Sequence, residues 1–167
     1  MVTDALDRSQ TEVERTLETN AQSSEPGPGD QVAAICYRRS DSGAEFCFIK
    51  SSSGRRIFPK GKVEKGEKPW DSAAREAKEE AGVLGNVSPQ PLTTFWFERP
   101  KRGTRELVTG YLLEVVVDKV LRESGRKPRW WTLERALEKL SKKKQADNAE
   151  ELKRVLREAD AAVRGEA

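Results

Sequence analysis

The chain is 167 residues long, enough for one domain of ordinary size plus tails, and 35% of it is charged although the formal net charge is only +3. It contains no histidine, which excludes Ser-His-Asp hydrolysis, phosphohistidine chemistry, histidine-based zinc sites and His-x-x-Glu-His proteases. Acid–base work near neutral pH therefore falls to carboxylates, lysine, tyrosine or water on a metal.

No run approaches the ~20 apolar residues of a membrane span, and the start lacks an apolar signal core, so a cytoplasmic protein without membrane attachment is expected. Residues 1–30 are polar and end in Ser23-Ser24-Glu25-Pro26-Gly27-Pro28-Gly29-Asp30, a linker composition. Leu6, Val13 and Leu17 are too few to build a core, so this segment is expected to be a disordered arm, and residues 31–165 the folded domain.

Val32 to Tyr37 and Glu45 to Ile49 read as strands around a Ser40-Asp41-Ser42-Gly43 turn. They carry Cys36 and Cys47, expected as buried reduced thiols. Ile57-Phe58-Pro59 leads into Gly61-Lys62-Val63-Glu64-Lys65-Gly66-Glu67, and a helix is predicted from Pro69 to Ala81 with Gly82 as its C-cap. Leu92 to Phe97 and Leu107 to Val116 read as strands joined by the basic loop Arg99 to Arg105. Arg129-Trp130-Trp131 is extended, Thr132 caps a helix through Leu140, and Asp147 with Glu150 has the capping-box spacing that opens a last helix to Val163. This order predicts an α/β fold, a mixed β-sheet sandwiched between α-helices.

At about 100° per residue, Glu76, Glu79 and Glu80 share one arc of the first helix, while Trp70, Ala73, Ala74, Ala77 and Ala81 share another. The small residues suit close packing on a sheet. The glutamates repel one another, a cost that a bound cation relieves. Glutamate-rich faces are usually just solvated, but here glycines at 61 and 66 allow a tight loop beside the helix, and Glu67 can pair with Arg75.

The pattern G-x5-E-x7-R-E-A-x-E-E-x-G-V, from Gly61 to Val83, resembles the signature box of the Nudix hydrolases, with every fixed position filled. The resemblance implies a Nudix fold and hydrolysis of a diphosphate linkage. It implies that the carbonyl of Gly61 with Glu76, Glu79 and Glu80 binds Mg2+ or Mn2+, that Glu79 is a water-activating base, and that Glu67 and Arg75 brace the site.

Substrate choice falls to the flanking basic segments, from which Arg38, Ser52, Ser53, Arg55, Arg56, Lys60, Arg102, Arg105 and Arg126 are expected to bind phosphate. Glu123 is a candidate additional carboxylate. Trp130 and Trp131 are expected to pack, and Lys142-Lys143-Lys144 to form a solvated helix end. The serine run before Arg55, the Phe58-Pro59-Lys60-Gly61 segment and Gly125 to Trp131 are similar to the diphosphoinositol polyphosphate phosphohydrolase subgroup. That similarity implies inositol pyrophosphates or diadenosine polyphosphates as substrates. The middle loop lacks the histidine frequent in that subgroup, leaving Arg102 or Arg105 to serve. An RNA 5′-pyrophosphohydrolase or a nucleoside triphosphate pyrophosphohydrolase is the rival reading, and a non-catalytic nucleotide-sensing module the rival of another class. The expected partner is a small polyphosphate rather than a nucleic acid, met by a monomer.

Overall fold

A computed structural model describes residues 31–165. The expected arm at residues 1–30 lies outside the described residues. Eight strands form one mixed sheet. β1 (Gln31–Ser40) and β2 (Gly43–Lys50) pair antiparallel across a two-residue turn, with Gly43 at φ 114°, backbone space that only glycine enters freely. The first seven residues of β1 are all buried. Such a continuous run, without polar alternation, belongs to a strand covered on both faces.

β3 (Arg56–Ile57) extends β2 at one edge, and β4 (Lys60–Lys62) pairs antiparallel with β1. β5 (Leu84–Val87) and β6 (Thr93–Arg99) pair antiparallel with β7 (Thr104–Val117), which runs parallel to β1 with Gln31 opposite Val108. β8 (Arg129–Thr132) lines up antiparallel with β2, Phe46 opposite Trp131.

Helix α1 (Pro69–Glu76) continues without a break into a π-helical turn over Ala77–Ala81 and stops at Gly82, φ 70°. Pro69 at its start needs no N–H partner. Ala73, Ala77 and Ala81 are buried, and the helix lies against β1, β4, β5 and β7. Helices α2 (Leu133–Leu140) and α3 (Ala149–Val163) pack on each other, with α2 against β2 and β8 and α3 against β6. The core at this end includes Phe48, whose ring lies 5.0 Å from Phe58 and 5.4 Å from Trp131. Burying each such aromatic contributes roughly 2 kcal/mol. Cys36 and Cys47 are free and buried, and burial pushes both thiols up, Cys47 to about 12. No helix among the described residues is long and apolar enough to cross a membrane.

Three details depart from the sequence reading. The basic loop between β6 and β7 is shorter than expected: β6 and β7 pair out to Arg99 opposite Thr104, leaving Pro100–Arg102 as a 3-10 turn before Gly103. The capping box does not form. Thr132 Oγ1 does accept the N–H of Arg135 (3.3 Å) at the start of α2, but Asp147 turns to Arg55 (3.0 Å) and α3 starts at Asn148 instead. Asn148 spends its amide on β6, accepting the N–H of Glu98 (2.8 Å) and donating to its carbonyl (3.2 Å). That pair of bonds satisfies strand backbone, which a helix cap would leave open. Finally, the π turn breaks the 100° spacing assumed for α1.

Candidate active site

The loop ahead of α1 is held by its own residues. Ser72, buried in the first turn, donates its hydroxyl to Glu67 Oε1, and this bond first, then Arg75, holds the Glu67 carboxyl below the usual range. Arg75 Nε donates to both oxygens of Glu67 (3.1 and 3.2 Å), Nη1 to Glu76 (2.9 Å) and Glu79 (3.3 Å), and Nη2 to the carbonyl of Lys62 (3.2 Å). One guanidinium thus ties the loop, the helix and β4 together. Five donors in a rigid fork make this possible; a lysine would supply a single point charge.

Gly61 has an ordinary backbone conformation, so its glycine is required by space. A Cβ there would lie 2.1 Å from Glu76 Oε1, which occupies the room a side chain would take. Gly66 is the residue that needs left-handed backbone, φ 83°.

The three glutamates are staggered. Glu80 is buried and Glu76 half-buried, whereas the Glu79 side chain is 47% exposed. The π turn causes this: widening the helix by one residue carries Glu80 inward while Glu79 stays outside. Glu80 Oε1 accepts the N–H of Lys60 (3.1 Å), and Oε2 meets Arg126 at 3.3 Å. Burial, and then a hydrogen bond shared with Glu76, push the Glu80 carboxyl well above the usual range. Among the described residues no three carboxylates converge at ligand distance. Arginines 75 and 126 currently neutralise the set: Arg75 holds Glu76 and Glu79, and Arg126 holds Glu80. The donor set nevertheless suits a hard cation. It is all oxygen, with the Glu76 carboxylate seated in the space that the missing side chain of Gly61 leaves.

The Arg126 guanidinium also takes the Glu123 carboxylate at 3.1 Å, so one arginine bridges the side chains of Glu80 and Glu123. The loop carrying both is tied down by backbone bonds from Glu123 N–H to the carbonyl of Glu79 (2.7 Å) and from Val120 N–H to that of Gly82 (3.0 Å). A Cβ on Gly82 would sit 2.8 Å from the Val120 carbonyl oxygen.

Beside Glu80 opens a cavity of about 320 Å³. Of the expected phosphate binders it gathers Ser52, Ser53, Arg55, Lys60, Arg102 and Arg126, with Ser51, Arg99 and Lys101 added. It does not gather the other three. Arg38 pairs with Glu45 (3.1 Å) and Asp118 (3.0 Å) and stacks 4.2 Å over Trp130. Arg105 lies 4.2 Å over the half-exposed Trp96, and Arg56 faces a different cavity. Strand alternation explains the last: Arg55 and Ile57 line the first cavity and Arg56 between them points away.

Lys60 is the deepest cation. Its Nζ donates to Gln31 Oε1 (2.7 Å), lies 3.6 Å from Glu106 and sits 4.3 Å over the Phe97 ring. Burial, then the nearby Arg99 charge, lower it to about 8. Glu106 and Arg99 meet at 3.0 Å but at an angle that makes no hydrogen bond, leaving both atoms buried without one. Glu106, Phe97 and Asn148 escaped the sequence reading. The one available signal was the strand alternation that puts Phe97 and Arg99 on one side of β6.

The NUDIX domain profile matches residues 29–155, and the chain belongs to that family. A curated relative, Nudix hydrolase 12, mitochondrial, of Arabidopsis thaliana, is 36% identical over 114 residues, which are 59% of this chain. The chain spans only 56% of that protein's length. Among solved structures, a C. elegans Ap4A hydrolase binary complex superposes with a TM-score of 0.66 at 24% identity, covering 81% of this chain and 98% of that one. A NUDIX hydrolase from Nitrosomonas europaea gives 0.59 at 17% identity, covering 80% and 90%. These likenesses establish the Nudix fold.

Proposed function

We propose that the chain is a metal-dependent hydrolase that cleaves a diphosphate linkage by attack of water, in a small, densely phosphorylated substrate. One observation carries this reading: Glu80, the buried member of the Glu76, Glu79 and Glu80 set, lines a cavity that presents six basic residues. Carboxylates alone would repel a polyphosphate, and cations alone would only bind one.

Gly61 through its carbonyl, with Glu76, Glu79 and Glu80, would hold Mg2+ or Mn2+, hard ions that prefer oxygen. Bound there, the cation supplies charge neutralisation and a more acidic water. The chain's own residues do the rest. Arg55, Arg102 and the serine run hold distal phosphoryl oxygens, and Lys60 and Arg126 reach toward those nearest Glu80. Glu79, open to solvent, accepts the proton of the attacking water. Phosphoryl transfer asks mainly for this positioning and neutralisation.

The six-cation cavity favours inositol pyrophosphates or diadenosine polyphosphates over substrates of lower charge. The two free, buried thiols fit a reducing compartment, so cytoplasmic location belongs to this reading. A panel of inositol pyrophosphates, dinucleoside polyphosphates, triphosphorylated RNA and nucleoside triphosphates, each with Mg2+ and Mn2+, tests it. The first two groups should give the highest kcat/KM; preference for RNA ends or nucleoside triphosphates would overturn the substrate assignment.

A further inference from the structure

We propose that a second cavity, formed by β3, β8, α2 and the turn after α2, is a binding site for a compact, phosphate-dense anion, separate from the catalytic cleft. It measures about 270 Å³ and shares no lining residue with the first. Arg56 and Arg129 enter it from strands, Arg135 and Lys139 from α2, and Lys142 and Lys144 from the Lys143–Gln145 turn region. No carboxylate lines it among the described residues.

A merely solvated face would mix signs. This one lines the cavity with a single sign at a cost, which Glu138, paired with Arg135 at 3.1 Å, offsets only in part. Arg135 and Lys139 stand at i and i+4 on α2, a spacing at which like charges destabilise a helix. Arg135 and then Lys142 make it harder for Lys139 to keep its proton, and burial followed by Arg129 does the same to Arg56. An anion in the cavity removes that repulsion.

The walls are built rather than incidental. Gln145, 1% exposed, accepts the Arg56 N–H (2.6 Å) and donates to the Arg56 carbonyl (2.9 Å), fixing that residue from both sides. The Arg56 guanidinium in turn donates to the carbonyl of Lys127, a non-glycine residue held at φ 44°. Such backbone costs energy and persists where surrounding contacts impose it. Trp131 supplies an apolar side, with Arg56 and Lys139 at 5.8 and 6.0 Å from its ring.

The small volume suits several phosphoryl groups on a ring or a short chain better than a nucleic-acid strand. Arginine forks grip paired phosphate oxygens and the lysines add charge.

The test is calorimetric titration of the full chain in chelator with inositol hexakisphosphate and inorganic tripolyphosphate, a readout independent of hydrolysis. The wild type should bind two anions. The double variant R129E/K142E, at two exposed positions, should lose one of them by at least about tenfold, with a melting temperature that does not fall. R102E, in the cleft, should weaken only the other. Binding of both probes, or of the ring-borne one alone, supports the site and tells which carrier it recognises. A single anion bound equally by wild type and R129E/K142E overturns it, as does a loss seen only with a single-stranded RNA oligonucleotide.

Discussion

Glu76 occupies the space beside Gly61 that a side chain would fill, and the chemistry depends on that closeness. In Gly61→Ala, the added Cβ would collide with Glu76 Oε1 and push the carboxylate out of place. Misplacement of a reacting group by about an ångström costs on the order of a hundredfold in rate, and that is the expected loss in kcat, with an unchanged far-UV circular dichroism spectrum. Arg75 is different in kind. Replacing it with Met takes the guanidinium from both Glu67 and Glu76, leaving Glu67 with the Ser72 hydroxyl, at an expected cost of roughly 1–3 kcal/mol in urea unfolding. The spacing of residues 67 and 75 already suggested their pairing, because one turn of loop and two of helix bring them together. That Gly61 is needed for space, rather than for its backbone conformation, could not be read from sequence, since it depends on where Glu76 points.

At the level of the elements, the two ends of α1 were legible from Pro69 and Gly82, each with a local backbone reason. The π turn between them was not. Alanine and glutamate favour an ordinary helix locally, so the widening belongs to its surroundings: the turn packs against β2 and is tied by the Glu123 N–H to the Glu79 carbonyl. Gly82→Ala combines a φ of 70° with a contact at 2.8 Å to the Val120 carbonyl oxygen, and should cost about 1–3 kcal/mol by urea unfolding. The start of α3 offers a sharper contrast. Asp147 has the spacing of a cap yet pairs with Arg55, while Asn148 serves β6. Asn148→Ala should therefore lose roughly 1–3 kcal/mol, and Asp147→Ala no more than about 0.5 kcal/mol. The reverse order would show that the sequence reading of this cap was right.

Across the whole molecule, strand order and charge placement decide function. The apolar runs of β1, β2, β6 and β7 announced a sheet, but the pairing of β1 with β7 and with β4, which places the cleft that Lys60 lines, is a long-range fact that no local pattern encodes. The basic segments were visible as composition; their division between two cavities follows from the alternation of Arg55, Arg56 and Ile57 in and beside β3. The buried Glu80 leaves a signature in stability. Its carboxyl keeps a proton in the folded chain at pH values where the unfolded chain, with an ordinary value of 4.5, has lost it. The folded state then binds more protons, so this contribution is whole below pH 4.5 and fades as pH climbs through the raised value. Thermal melts in chelator should fall over that range. Glu80→Gln should flatten the decline; an equally steep one in that variant would place the titration elsewhere.

The most direct measurement is phosphate release from a diphosphate substrate, with Mg2+ and in chelator, by wild type, Glu79→Gln and Glu80→Gln. Cation-dependent release that falls by at least about a hundredfold in both variants, with unchanged melting temperature for Glu79→Gln, is what the proposed site requires. Release that persists in chelator, or survives both substitutions, would contradict it.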